Sequence, residues 1–185
     1  ALWNEKFSNT LPIDAQSRTP LHLAAQHGHV DIVKKILIHD KAKAWLTSID
    51  STNNTPLHSA ALGGHARITK KLIRALHAAG HTLEDQNTEG NTPAHIAATK
   101  DHINAIKELL GISPFAKSRK TGTYADMRTE NSSGLTIHDI AIDNNHSELE
   151  KLLEKKKKNN GPRKDAVIFR IRDKKIEKLK GRERS

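Results

Sequence analysis

Apolar residues recur at helical spacing in four separated stretches. Val30, Val33, Ile36 and Leu37 form the first set; Ile68, Leu72, Ile73 and Leu76 form the second. Ile103, Ile106, Leu109 and Leu110 follow, then Leu149, Leu152 and Leu153. Steps of three and four residues put each set on one side of a helix, so the pattern predicts four amphipathic helices. A shorter segment rich in small residues precedes each one: Ala24–Ala25, Ala60–Ala61, Ala97–Ala98 and Ala141. Small side chains let neighbouring helices approach closely, which stacking requires.

The short segments are copies of one string. TPLHLAAQHGH starts at Thr19, TPLHSAALGGH at Thr55, TPAHIAATKDH at Thr92 and the degraded TIHDIAIDNNH at Thr136. The starts lie 36, 37 and 44 residues apart, and a histidine closes each copy at His29, His65, His102 and His146. Thr19, Thr55, Thr92 and Thr136 stand where an N-cap belongs. Pro20, Pro56 and Pro93 occupy the next position, where a helix loses nothing by lacking an N–H, and Ile137 replaces that proline in the fourth copy. Gly28, Gly64, Asp101 and Asn145 are residue types that tolerate a left-handed backbone, as a tight turn needs. Each unit therefore reads as a short helix, a turn, a longer helix and an extended link.

The TPLH motif, paired alanines, Gly-His turn and amphipathic second helix together resemble the ankyrin repeat family. LEDQNTEG before Thr92 and ADMRTEN before Thr136 are similar to that family's links. The resemblance covers roughly residues 13–155. It implies an all-α ankyrin-repeat solenoid of about four repeats, with an array of four helix-turn-helix units over 13–153. The family's period is about 33 residues, so every unit here is long. The largest excess is an inserted loop at 112–124, with Lys117, Arg119 and Lys120; it reads equally as a binding loop or as drift in a tolerant place. Residues 1–12, with Leu2, Trp3 and Phe7, read as an N-terminal cap or degenerate repeat.

Charge is divided along the chain. Residues 1–150 hold 16 Lys/Arg and 16 Asp/Glu, whereas 151–185 hold 15 and 5, which accounts for the whole net charge of +10. Residues 154–185 are expected to be a basic C-terminal connector followed by a capping helix over DAVIFRIRDKKIEKLK. AVIFRIR alone also fits a strand; a helix is preferred because it can cover a last repeat. Lys155, Lys156, Lys157, Lys158, Arg163 and Lys164 are the candidate polyanion contacts, toward nucleic acid or an anionic membrane surface. Phe169 is the tail's one aromatic residue, which offers little stacking for bases. No signal peptide and no apolar run of membrane-spanning length is read from the sequence.

Twelve histidines invite a metal or catalytic reading. Eight of them recur with the repeat, so they answer a need of each unit: His22, His58, His95 and His138 inside the motif, and the four that close it. The family resemblance implies that His22, His58 and His95 hydrogen-bond to the Thr hydroxyl and to loop backbone. In the fourth copy the motif is shifted by one residue, which breaks the match at His138. His77 and His81 are four apart, but no HExxH motif and no cysteine is present to complete a zinc site. GxSxG, GxxxxGK[ST] and GxGxxG are also missing. No enzyme activity, catalytic residue, metal or cofactor is expected.

By the resemblance, binding uses the links and first helices, at positions the repeat does not specify. The candidate partner contacts are Gln16, Arg18, Gln26 and His27 in the first unit, and Asn54 and Leu62 in the second. Glu89, Asn91, Thr99 and Lys100 follow in the third, then Asp143 and Asn144 in the fourth. The expected partner is another protein or a peptide, bound by a scaffold, adaptor or regulator; the oligomeric state is left open. Arrays of this kind suggest a cytoplasmic or nuclear setting, with a secreted bacterial effector as the other option.

Overall fold

The structure is a computed structural model that describes residues 13–39, 42–112 and 124–159, with backbone only at 42, 43, 158 and 159. The cap expected at 1–12, nearly all of the loop at 112–124 and the capping helix expected beyond 160 lie outside the described residues. The chain divides into two units, Ala1–Glu150 and Lys151–Ser185.

Regular structure among the described residues is helical. The first helices of the repeats are α1 (Pro20–Gln26), α4 (Pro56–Leu62), α6 (Pro93–Thr99) and α8 (Ile137–Asp143). The second helices are α2 (Val30–Leu37), α5 (Ala66–Ala78), α7 (Ile103–Leu109) and α9 (Ser147–Asn159). A five-residue helix, α3 (Ala42–Leu46), lies in the first link, where the sequence pattern indicated no element. In the third unit both helices have seven residues, so the second is not the longer one expected. Helix α9 continues through residues that the sequence reading assigned to a connector.

Local chemistry sets these boundaries. At Thr19, Thr55, Thr92 and Thr136 the backbone is extended, with ψ between 163° and 169°, and each threonine begins a capping box with the residue three places on. The turns between paired helices place Gly28, Gly64, Asp101 and Asn145 at φ of +79°, +70°, +53° and +57°. A left-handed residue closes the first helix and lets the chain reverse within two positions.

Helices stack in two layers. In one, α1 packs on α4, α4 on α6 and α6 on α8; in the other, α2 packs on α5 and α5 on α7. Leu21, Ala25, Ala60, Ala61, Ala97 and Ala98 are fully buried between them, as are Val33, Ile68, Ile106 and Leu109 from the second layer. Burying a Leu or Ile side chain contributes about 2 kcal/mol, while the alanines set the close spacing. Each unit thus depends on its neighbours for burial.

Candidate interaction face

The links are built by one residue per unit that sequence reasoning missed. Asp14, Asp50, Asn87 and Asn131 each stand five places before the capping threonine. Asp14 Oδ1 accepts from the backbone N–H of Gln16 and Arg18, and Asp50 Oδ1 from those of Thr52 and Asn54. Asn87 does the same for Glu89 and Asn91, and Asn131 for Ser133 and Leu135. Such short polar side chains satisfy donors that no strand or helix takes up. The signal was present in the sequence at the repeat period.

Adjacent links are then bonded to each other. Ser51 N–H donates to the Gln16 carbonyl at 2.9 Å, Thr88 N–H to that of Thr52 at 3.0 Å and Ser132 N–H to that of Glu89 at 3.1 Å. Amide side chains add rungs: Asn87 Nδ2 donates to Asn54 Oδ1 at 3.0 Å, and Asn131 Nδ2 to Asn91 Oδ1 at 2.9 Å. Gln86 Nε2 reaches the Glu130 carbonyl at 3.0 Å. Asn54 Nδ2 also meets Asp50 and Thr52, and Asn91 Nδ2 meets Glu89.

The three TPLH histidines work on two units at once. Nδ1 of His22, His58 and His95 accepts from the backbone N–H of Thr19, Thr55 and Thr92 at 3.1, 3.1 and 3.2 Å. That leaves the ring proton on Nε2, which donates to the next link: to the carbonyl of Asn54 and of Asn91 at 2.9 Å, and to those of Thr129 and Leu135 at 3.0 and 3.1 Å. All three rings are buried, and burial holds each pKa below the ordinary histidine value, with the backbone hydrogen bonds offsetting part of the effect. In the fourth unit Asp139 takes over the cap: its Oδ2 accepts from Thr136 N–H at 2.9 Å and from the Thr136 hydroxyl at 2.7 Å. His138 is not part of it.

The histidines that close the motif form a second tie. Nε2 of His65 bonds to the Gln26 carbonyl at 3.0 Å, Nε2 of His102 to that of Leu62 at 3.1 Å, and Nδ1 of His146 to that of Ala98 at 3.0 Å. The His65 and His102 rings lie over Gly28 and Gly64, where a Cβ would come within 2.6 and 2.7 Å of them. These imidazoles are occupied by backbone, and no cluster suited to a metal ion is found among the described residues.

Six of the twelve candidate contacts share one groove. Gln16, Arg18, Gln26, Asn54, Leu62 and Glu89 line it across three units, together with Asp50, Ser51, Thr52, Ser59, Thr88 and Ile96. Arg18 is held by Asp14: Nη2 sits 2.7 Å from Oδ2 and Nε donates to the same oxygen at 2.8 Å. That guanidinium holds the Asp14 pKa below the usual carboxylate value. The other six lie off the groove. His27 is exposed, with its ring centroid 6.3 Å from that of His29. The Thr99 hydroxyl donates to the His95 carbonyl, Asn144 Nδ2 donates to that of Ile140, and Asn91 belongs to the ladder. Lys100 and Asp143 are exposed near the ends of α6 and α8.

Of the polyanion candidates, Lys155, Lys156 and Lys157 are on α9, while the side chains of Lys158, Arg163 and Lys164 lie outside the described residues. No described helix is long and apolar enough to cross a membrane.

A family model described as ankyrin repeats, in three copies, matches residues 3–79 and again 69–164. No curated protein matches the chain. Ankyrin arrays are non-catalytic scaffolds for protein binding, which agrees with a sequence that holds no catalytic motif. The capped helix pairs, the histidine ties between units and the match over most of the sequence lead to one assignment: the chain belongs to the ankyrin repeat family.

Proposed function

We propose that the chain binds a partner protein or peptide through the link side of its array, acting as a scaffold, adaptor or regulator. The observation that supports this most directly is the groove across three units, lined by residues that the repeat leaves variable, including Gln26, Leu62, Thr88 and Glu89. The link ladder ties the links that line the groove to one another, which lowers the ordering cost of binding. Leu62 is 40% exposed and supplies an apolar contact among mostly polar lining residues. The test is capture from cell lysate on the full chain and on Thr88→Trp, which fills the groove without changing charge. Candidates are then purified and titrated. An affinity at least about tenfold weaker for Thr88→Trp supports the reading; equal affinity for both forms removes it.

A second reading rests on the charge division. The tail's net charge of +10 favours phosphate-bearing partners, bound through Lys155, Lys156, Lys157, Lys158, Arg163 and Lys164. Changing all six to Gln should abolish polyanion binding and its salt dependence. Unchanged binding by that variant would remove the reading.

A further inference from the structure

Residues 1–150 carry no net charge, yet the fold sorts their charges by layer. The second helices α2, α5 and α7 carry Lys34, Lys35, Arg67, Lys70, Lys71, Arg74 and Lys107 against Asp31 and Glu108. The first helices α1, α4 and α6 carry no charged residue. Among the described residues, the links that lead into them carry Asp14, Asp50, Glu84, Asp85 and Glu89 against Arg18 and, within α3, Lys43.

Within the groove this leaves a definite sign. Arg18 is neutralised by Asp14 at 2.7 Å. Asp50 accepts hydrogen bonds from the N–H of Thr52 and Asn54 and from both of their side chains. Burial opposes its charge, but these bonds outweigh burial and keep its pKa below the ordinary carboxylate value. Glu89 accepts from Asn91 Nδ2 at 2.9 Å. Neither Asp50 nor Glu89 is in an ion pair among the described residues. Two negative charges, Asp50 and Glu89, thus line the same groove as the apolar Leu62 and Ile96.

We propose that the groove is selective for a basic, extended segment of a partner protein, with Lys or Arg beside Asp50 and Glu89 and an apolar side chain over Leu62 and Ile96. This deepens the protein-binding reading above and rests on it. The two intervals between three units, at about 10 Å each, give a span of about 20 Å, which six or so extended residues cross at about 3.3 Å apiece. A nucleic acid brings the same sign of charge as the groove and is repelled. An acidic peptide meets the same cost.

A random 12-residue peptide library displayed on phage, panned against the immobilised full chain, tests the proposal. Each enriched peptide is titrated against the wild type, Thr88→Trp and Glu89→Gln. The side-chain amide introduced by Glu89→Gln retains an oxygen for Asn91, so the link keeps its hydrogen bond while the charge is lost. The expected result is peptides of net positive charge that Thr88→Trp no longer binds, with Glu89→Gln weakening them about fivefold and added salt weakening them further. Peptides lost with Thr88→Trp but neutral or acidic would overturn the basic preference and leave the protein-binding reading intact. If no enriched peptide depends on Thr88, both fail.

Discussion

His58 and Asn91 are 33 residues apart, and the imidazole Nε2 donates to the Asn91 carbonyl at 2.9 Å while Nδ1 accepts from Thr55 N–H at 3.1 Å. One buried side chain closes its own helix cap and fastens the next unit. Removing it leaves a donor and an acceptor unpaired in the interior. His58→Ala should therefore destabilise the array by about 3 kcal/mol, read from the urea midpoint. His138→Ala, one place before the capping Asp139, should stay within about 0.5 kcal/mol. Similar losses in the two variants would contradict the division of roles.

Acid should weaken the array in a window set by these same rings. Burial lowers the folded-state pKa of His22, His58 and His95 from 6.5. The unfolded chain then takes up protons near pH 6.5 that the folded chain refuses. Stability is complete above that value and is lost as pH falls through the folded pKa values. Asp14, Asp31 and Asp50 have pKa values lowered from 3.8, so their loss comes at more acid pH. Thermal melts between pH 7.5 and 5 should show a falling midpoint. A flat profile over that range would count against neutral buried rings.

Gly64 and Gly80 separate two costs of adding a methyl group. Both have positive φ, +70° and +78°, but a Cβ on Gly64 meets the His102 ring at 2.7 Å whereas one on Gly80 meets nothing within 4 Å. Gly80→Ala should cost about 1–2 kcal/mol from backbone conformation alone. Gly64→Ala should cost more, because the His102 ring must also leave its bond to Leu62. Equal melting temperatures for the two variants would show that the ring yields freely.

Glu84 ties down the far side of the long insertion. Its Oε1 accepts from Asp126 N–H at 2.8 Å and its Oε2 from the Thr129 hydroxyl at 2.7 Å. Glu84→Ala should raise amide hydrogen exchange across 124–129 and leave α4 and α5 unchanged. Exchange that rises throughout the array would mean that the carboxylate supports the whole fold.

Much of the fold is legible in the sequence because its signals are local and repeated. Thr19, Pro20 and Gly28 start and stop a helix by backbone rules that need no partner, and three further copies remove the ambiguity of one. The histidine ties at His22, His58 and His95 follow from family resemblance, and the structure bears them out. The short helix α3 was missed because AKAWL is too brief to show a period. The Asx residues at Asp14, Asp50, Asn87 and Asn131 were overlooked although they recur with the motif. In a single link they look like ordinary polar loop residues.

The candidate face was less legible, and Arg18 shows why. In the sequence it is the one arginine at a variable position, so it reads as an anchor; in the structure Asp14 already holds it. Asn54 and Asn91 read as variable surface but spend their amides on the ladder. Bonds of this kind depend on how neighbouring links stack.

By itself, the sequence determined the repeat, the cap and turn positions, the helix faces and the concentration of positive charge beyond residue 150. Each of these is a property of neighbours along the chain or of a period within it. Only the tertiary structure decided which variable residues meet in one groove, which polar side chains are already occupied, and how a neutral array becomes acidic along its links and basic along α2, α5 and α7. Stacking brings together residues more than 30 positions apart, and a bond or a field across that separation depends on distances in space that no local pattern records.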